Sequence, residues 1–127
     1  LLLSTANIAP LSHWITPNIE SRRFDTRFFI AYLPEKQIVQ HDGMELTQSL
    51  WINPNKAVDM AFKGEMQMIM PTIKNLQSCS EFRVAKDMLD HQKKLTNKDI
   101  PPILPKFFKE NGNWVGLLPG DDGYEDH

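Results

Sequence analysis

The chain has 127 residues, 41% of them hydrophobic and 24% charged, with a net charge of −2. That is enough for one domain over residues 1–127 with a modest core, and too apolar for intrinsic disorder. A nearly balanced charge without a basic run gives no reason to expect nucleic acid or an anionic membrane as a partner.

In chain order, "LLLSTANIAPL" has no initiator Met, no basic leader and too short an apolar run to span a bilayer. It is expected to be the interior of a longer protein. "SHWITP", residues 12–17, predicts a short extended piece stopped by Pro17. The run "FDTRFFIAYL" predicts a strand from Phe24 to Leu33, closed by Pro34. Alternation puts Phe24, Thr26, Phe28, Ile30 and Tyr32 on one face and Asp25, Arg27, Phe29, Ala31 and Leu33 on the other. The second face turns apolar after Arg27, which predicts a central strand buried on both sides under helices.

"EKQIVQHDG" predicts a short strand and a polar turn at Asp42-Gly43, and "LTQSLWI", residues 46–52, another strand. "NPNKAVDMAFKG" predicts a helix with Asn53 as N-cap, Pro54 at the first position and Gly64 at the stop. Ala57, Val58, Ala61 and Phe62 form its apolar stripe. A second helix is expected from "MPTIKNLQS", with Ile73 and Leu76 inward. A third is expected from Ser80 as cap, with Phe82, Ala85, Met88 and Leu89 on one side. The remainder reads as two extended pieces joined by a turn at "KENGN". The expected class is mixed α and β, a sheet with helices packed on it. The six methionines fall mostly around the helices, where such residues usually fill cores.

A lone cysteine, Cys79, rules out an internal disulfide and fits a reducing, cytoplasmic compartment. Between Ser78 and Ser80 near a helix end, it reads as a small packing residue. The histidines at 13, 41, 91 and 127 are scattered, with no HExxH and no ligand pair at helical spacing.

The segments "WITP", "RRFDTRFF", "DGMELTQSLWINPNKA", "MPTIKNL" and "LLPGDDGY", in that order, resemble the later half of a Nudix hydrolase, in the branch of the coenzyme A diphosphatase-like enzymes. The likeness runs from about residue 10 to residue 124. It implies an α/β/α sandwich around a mixed sheet, incomplete at its N-terminus. It also implies hydrolysis of a nucleoside diphosphate linked to another group, such as coenzyme A, with Mg²⁺ or Mn²⁺. The family's box, Gly-x5-Glu-x7-Arg-Glu-U-x-Glu-Glu-x-Gly-U with U aliphatic, supplies carboxylate oxygens for hard cations that neutralise the pyrophosphate and activate water. This chain lacks it: no two glutamates are adjacent and no arginine precedes a glutamate. Family order would place the box before "LSHWITP", so the chain is expected to be the C-terminal portion of such an enzyme, and inactive alone. A non-catalytic module that binds a nucleotide or a protein is the alternative.

Within the resemblance, Glu45 after the Asp42-Gly43 turn is the candidate catalytic residue and auxiliary metal ligand; it also reads as a solvated loop acid. Arg23 and Arg27 offer forked donors to phosphate, with Arg22 beside them; Arg27 could instead pair with an acid across the sheet. Asp25 is expected to hold an arginine or a turn. Trp14 and Trp51, with Phe28, could stack on a flat ligand or belong to the core. His13 and His41 show no partner in the sequence. The expected partner is a nucleotide-like small molecule, and exposed sheet edges suggest a homodimer.

Overall fold

Proline and glycine punctuation, together with strand alternation, position most of the elements. In a computed structural model of the protein, residues 5–33, 40–45 and 48–127 are described. The strands are β1 (Ile8–Ile15), β2 (Asp25–Ala31), β3 (Pro102–Ile103), β4 (Lys106–Glu110) and β5 (Asn113–Leu117). The helices are α1 (Pro54–Phe62), α2 (Met70–Ser80) and α3 (Ala85–Lys93), and a 3-10 turn covers Tyr124–Asp126. The class is mixed α and β, as expected.

Among the described residues a three-stranded sheet runs in the order β2-β1-β3, and β4 pairs with β5 in a second sheet. β1 and β3 are parallel, with His13 opposite Pro102 and Trp14 opposite Ile103. Bonds flanking the β1–β2 pair, Thr16 N–H to Phe24 O at 2.9 Å and Tyr32 N–H to Asn7 O at 2.7 Å, run it antiparallel. The three-stranded sheet is therefore mixed.

Contacts divide the chain into two compact units, Leu1–Ala9 with Ala31–His91, and Pro10–Ile30 with Gln92–His127. The first holds the helices. α1 starts as the sequence predicts: the Asn53 side chain accepts from Asn55 N–H at 2.9 Å, and Pro54 comes next. It ends at Lys63, followed by Gly64 at φ 76°. Ala57 and Val58 are buried, while Phe62 at the end of the stripe is exposed. Burying Val58 contributes about 1.5–2 kcal/mol of transfer free energy. α2 packs against α1. On α3, Met88 and Leu89 are buried, and the rings of Phe82 and His91 lie 5.3 Å apart.

The second unit carries His13 and Trp14, buried on β1, and the hairpin. Asn111 and Gly112 both have positive φ, at 52° and 82°, as a two-residue turn of type I′ requires. Phe107 faces Gly116 across the strands, and a Cβ at Gly116 would come within 2.7 Å of that ring. Tyr124 ties its own segment back to the hairpin. Its hydroxyl donates to Leu104 O at 2.8 Å, its carbonyl accepts from Lys106 Nζ at 2.9 Å, and that ammonium lies 3.9 Å from its ring centre.

Three expectations need correction. β2 is not a central strand buried on both sides. It stands at the end of the described strand order, and Phe29 on its second face is 59% exposed. Alternation still shows, because Phe28 and Ile30 on the first face are half-covered. Residues 48–53 form no strand; the run at 46–52 is short, and Asn53-Pro54 commits the next residues to a helix. The third helix begins at Ala85, not Ser80. Ser80 instead ends α2, its hydroxyl donating to Gln77 O at 2.6 Å. The strand expected in "EKQIVQ" falls almost wholly at residues 34–39, outside the described ones.

Candidate functional site

The second unit gathers most of the chemistry on β1, β2 and the loop joining them. Thr16 clasps that loop. Its N–H donates to Phe24 O, its hydroxyl accepts from Phe24 N–H at 2.9 Å, and Glu20 N–H closes a turn onto Pro17 O. The Arg23 Nε donates to Thr16 O at 3.1 Å, which fixes the base of its guanidinium and leaves the rest of the fork without a partner among the described residues. Arg27, on the exposed second face of β2, likewise has no acidic partner there. The alternative in which Arg27 pairs across the sheet therefore has no ion pair among the described residues to support it.

Among the described residues Asp25 pairs with a histidine, not with an arginine or a turn. Its Oδ1 lies 2.5 Å from Nε2 of His13 on the neighbouring strand. The His13 side chain is buried, whereas that of Asp25 is 66% exposed. The acid nearest to Arg23 and Arg27 in sequence is thus bonded to an imidazole, and neither arginine has an acidic partner among the described residues. Nothing in the sequence signals this pair, since residues 13 and 25 are linked only by strand register.

Of its two readings, Trp14 takes the core rather than the stacking platform. It is 4% exposed and offers no open ring face, and its Nε1 is a buried donor without a partner among the described residues. Trp51, in the first unit, is 77% exposed and can stack. Glu45, in the same unit, is exposed just after a turn in which Asp42 Oδ1 accepts from Met44 N–H at 3.0 Å and His41 Nδ1 accepts from Gly43 N–H at 3.1 Å. Both His13 and His41 thus have partners.

Among the described residues one thiol and one carboxyl are shifted. Burial pushes the Cys79 thiol up, which disfavours the nucleophilic thiolate and supports the packing role. The Asp99 carboxyl is held below its ordinary range by the backbone N–H and then the hydroxyl of Thr96. Among the described residues no group of three or more His, Cys, Asp or Glu could hold a metal ion. Glu45 belongs to no such group there, so the described residues on their own do not make a site for Mg²⁺ or Mn²⁺. Among the same residues no helix is long and apolar enough to cross a membrane.

Comparison with known proteins gives relatives in one group. The chain is 29% identical over 120 residues to the acyl-coenzyme A diphosphatase NUDT19 of Xenopus laevis, covering 89% of this chain and 31% of that protein. It is 28% identical over 115 residues to the human protein of the same name, with the same shares covered. It is 29% identical over 122 residues to putative nudix hydrolase 7 of Caenorhabditis elegans, covering 94% of this chain and 40% of that one. The chain thus spans between 31% and 40% of the length of these relatives. No protein-family model matches it, and no solved structure does. These similarities support a relationship to Nudix hydrolases of the coenzyme A diphosphatase-like kind.

Proposed function

We propose that this chain forms the substrate-binding part of a Nudix-type diphosphate hydrolase whose substrate is a nucleoside diphosphate-linked molecule of the acyl-coenzyme A kind. The observation that carries this reading is the exposed pair Arg23 and Arg27, neither with an acidic partner among the described residues, beside an Asp25 that is bonded to His13. It agrees with relatives named as acyl-coenzyme A diphosphatases that match about nine-tenths of the chain. A pyrophosphate carries dense negative charge, and planar forked donors suit its oxygens.

The Nudix-like α/β/α sandwich belongs to the same proposal, and the mixed sheet and three helices are compatible with it. Hydrolysis would use Mg²⁺ or Mn²⁺, whose carboxylate ligands must come from outside the described residues, with Glu45 at most an auxiliary oxygen donor. The 127-residue chain alone is therefore a binder without turnover, which is also where the reading as a non-catalytic module leads.

Calorimetric titration with coenzyme A tests the reading. Binding is expected, weakened about five- to tenfold by Arg23→Ala or Arg27→Ala. Wild-type affinity in both variants would remove the arginines from the site. Mg²⁺-dependent hydrolysis by the isolated chain would overturn the division between binding and turnover.

A further inference from the structure

Four of the chain's six methionines, Met60, Met66, Met68 and Met70, crowd into the eleven residues that join α1 to α2 in the first unit. Residues 67–69 belong to no helix or turn, and Ile69 just before α2 is extended, at φ −83° and ψ 161°. Extended backbone puts residues two apart on one face. Burial follows that period: Met66, Met68 and Met70 are half-covered, whereas Glu65, Gln67 and Ile69 between them are exposed. We propose that Met66, Met68 and Met70 form a thioether site for a soft monovalent cation, copper(I). The substrate reading takes no part in this inference.

The local backbone holds the three residues together. The Met60 carbonyl accepts from Glu65 N–H at 2.9 Å and from Met66 N–H at 3.3 Å, which turns the chain back at the end of α1. Gly64, at φ 76°, makes that turn possible. Met66 and Met68 then line one open groove of about 580 Å³, with Ala61, Gly64, Gln67 and Ile69. Positions two apart on an extended chain lie roughly 6.6 Å from each other. Unbranched methionine side chains, with three rotatable bonds each, span that distance to a common ion.

The donor chemistry selects the cation. None of the six groove residues has an ionisable side chain, so a hard divalent ion finds no carboxylate and an anion finds no counter-charge. Neutral thioether sulfur is a soft ligand, and softness favours Cu(I). Gap-filling accounts for Met88, which is buried on α3, but not for methionines in the wall of an open groove. A thioether also has no proton to lose before it binds, unlike a thiol or an imidazolium. Affinity at this site is therefore independent of pH in the range where histidine sites fail.

The test titrates the full 127-residue chain carrying Cys79→Ser, which removes its thiol, with silver nitrate in chloride-free buffer. Silver(I) serves as the redox-stable probe for Cu(I). Saturable binding of one ion is expected, with affinity at about pH 5 within about twofold of that at about pH 7.5. Methionine methyl NMR signals of Met66, Met68 and Met70 should move, while those of Met44, 86% exposed, and buried Met88 stay in place. Met66→Leu and Met68→Leu conserve volume and remove only the sulfur, and each should weaken binding at least about tenfold. Absence of saturable binding overturns the proposal, as does unchanged affinity in the chain carrying both leucines. Binding that is lost at the lower pH belongs to imidazoles and overturns it equally.

Discussion

His13 Nε2 and Asp25 Oδ1 lie 2.5 Å apart, joining the middle strand of the three-stranded sheet to its neighbour. The imidazole is buried and the carboxylate is mostly in solvent. Removing the acid therefore strands a buried polar ring, while removing the ring merely frees an exposed carboxylate.

The two ends of this bond should respond unequally to mutation. Asp25→Ala is expected to lower stability by about 1–3 kcal/mol, the penalty for an unsatisfied buried group. Asp25→Asn, which can still offer a carbonyl oxygen, should lose less. Urea denaturation reads the difference, and equal stability of Asp25→Ala and wild type would show that water replaces the carboxylate at no penalty.

The start of α1 gives a second measurement. The Asn53 side chain holds the Asn55 N–H, so Asn53→Ala is expected to lower stability by about 1 kcal/mol, whereas Asn53→Asp should hold it. Thermal unfolding of the two variants side by side distinguishes loss of the cap from any general effect of the site.

Asp99 supplies a pH dependence. Its folded-state titration lies below the ordinary carboxyl range because Thr96 N–H and Thr96 Oγ1 both donate to Oδ2, at 2.8 and 3.1 Å. A lowered folded value means that the group contributes stability above the unfolded value and loses it as pH falls through the folded one. Carboxyl carbon NMR should find a midpoint below that of an unstructured aspartate. Thr96→Val, which keeps the N–H and removes the hydroxyl, should move it part of the way back. An unchanged midpoint in that variant would assign the whole shift to the backbone.

Cys79 should be a slow thiol. Burial raises its titration above the ordinary range, so at neutral pH its reaction with a disulfide reagent should run roughly tenfold slower than that of a free cysteine. The rate should climb as pH passes the ordinary thiol value and keep climbing above it. A rate equal to that of glutathione at neutral pH would mean that the folded chain exposes the sulfur.

The hairpin turn needs its glycine. Gly112 at φ 82° sits where a side chain is strained, so Gly112→Ala is expected to destabilise by about 1–2 kcal/mol. The change in unfolding midpoint between that variant and wild type measures it.

Elements whose boundaries are written by a local rule were legible in the sequence. Asn53-Pro54 with Gly64 marks both ends of α1, and Asn111-Gly112 marks the β4–β5 turn, because capping and positive-φ preferences act over a few residues. The start of β1 was not legible, since Pro10 argues against a paired strand. That proline's carbonyl accepts from the Gln92 side chain. The exposure of Phe29 was also invisible, because an apolar residue on a strand does not say whether anything covers it. For the site, Arg23 and Arg27 were legible as types, but the His13–Asp25 pairing beside them was not, because it is a matter of register between strands. Trp14 and Trp51 look alike in sequence and differ in burial, which only tertiary contacts decide.

The second unit is discontinuous in the chain, built from Pro10–Ile30 and Gln92–His127, and Gln92 reaches Pro10 across 82 residues. On a ribosome, β1 must wait without its β3 partner until the helical stretch has been made. The helices close over short sequence distances and can form within that interval, whereas the parallel β1–β3 pairing must first meet the entropy of a long loop. Synthesis speed through residues 31–91 therefore governs how long the β1 edge stays open to other chains, and slow codons there would raise aggregation without changing a single residue.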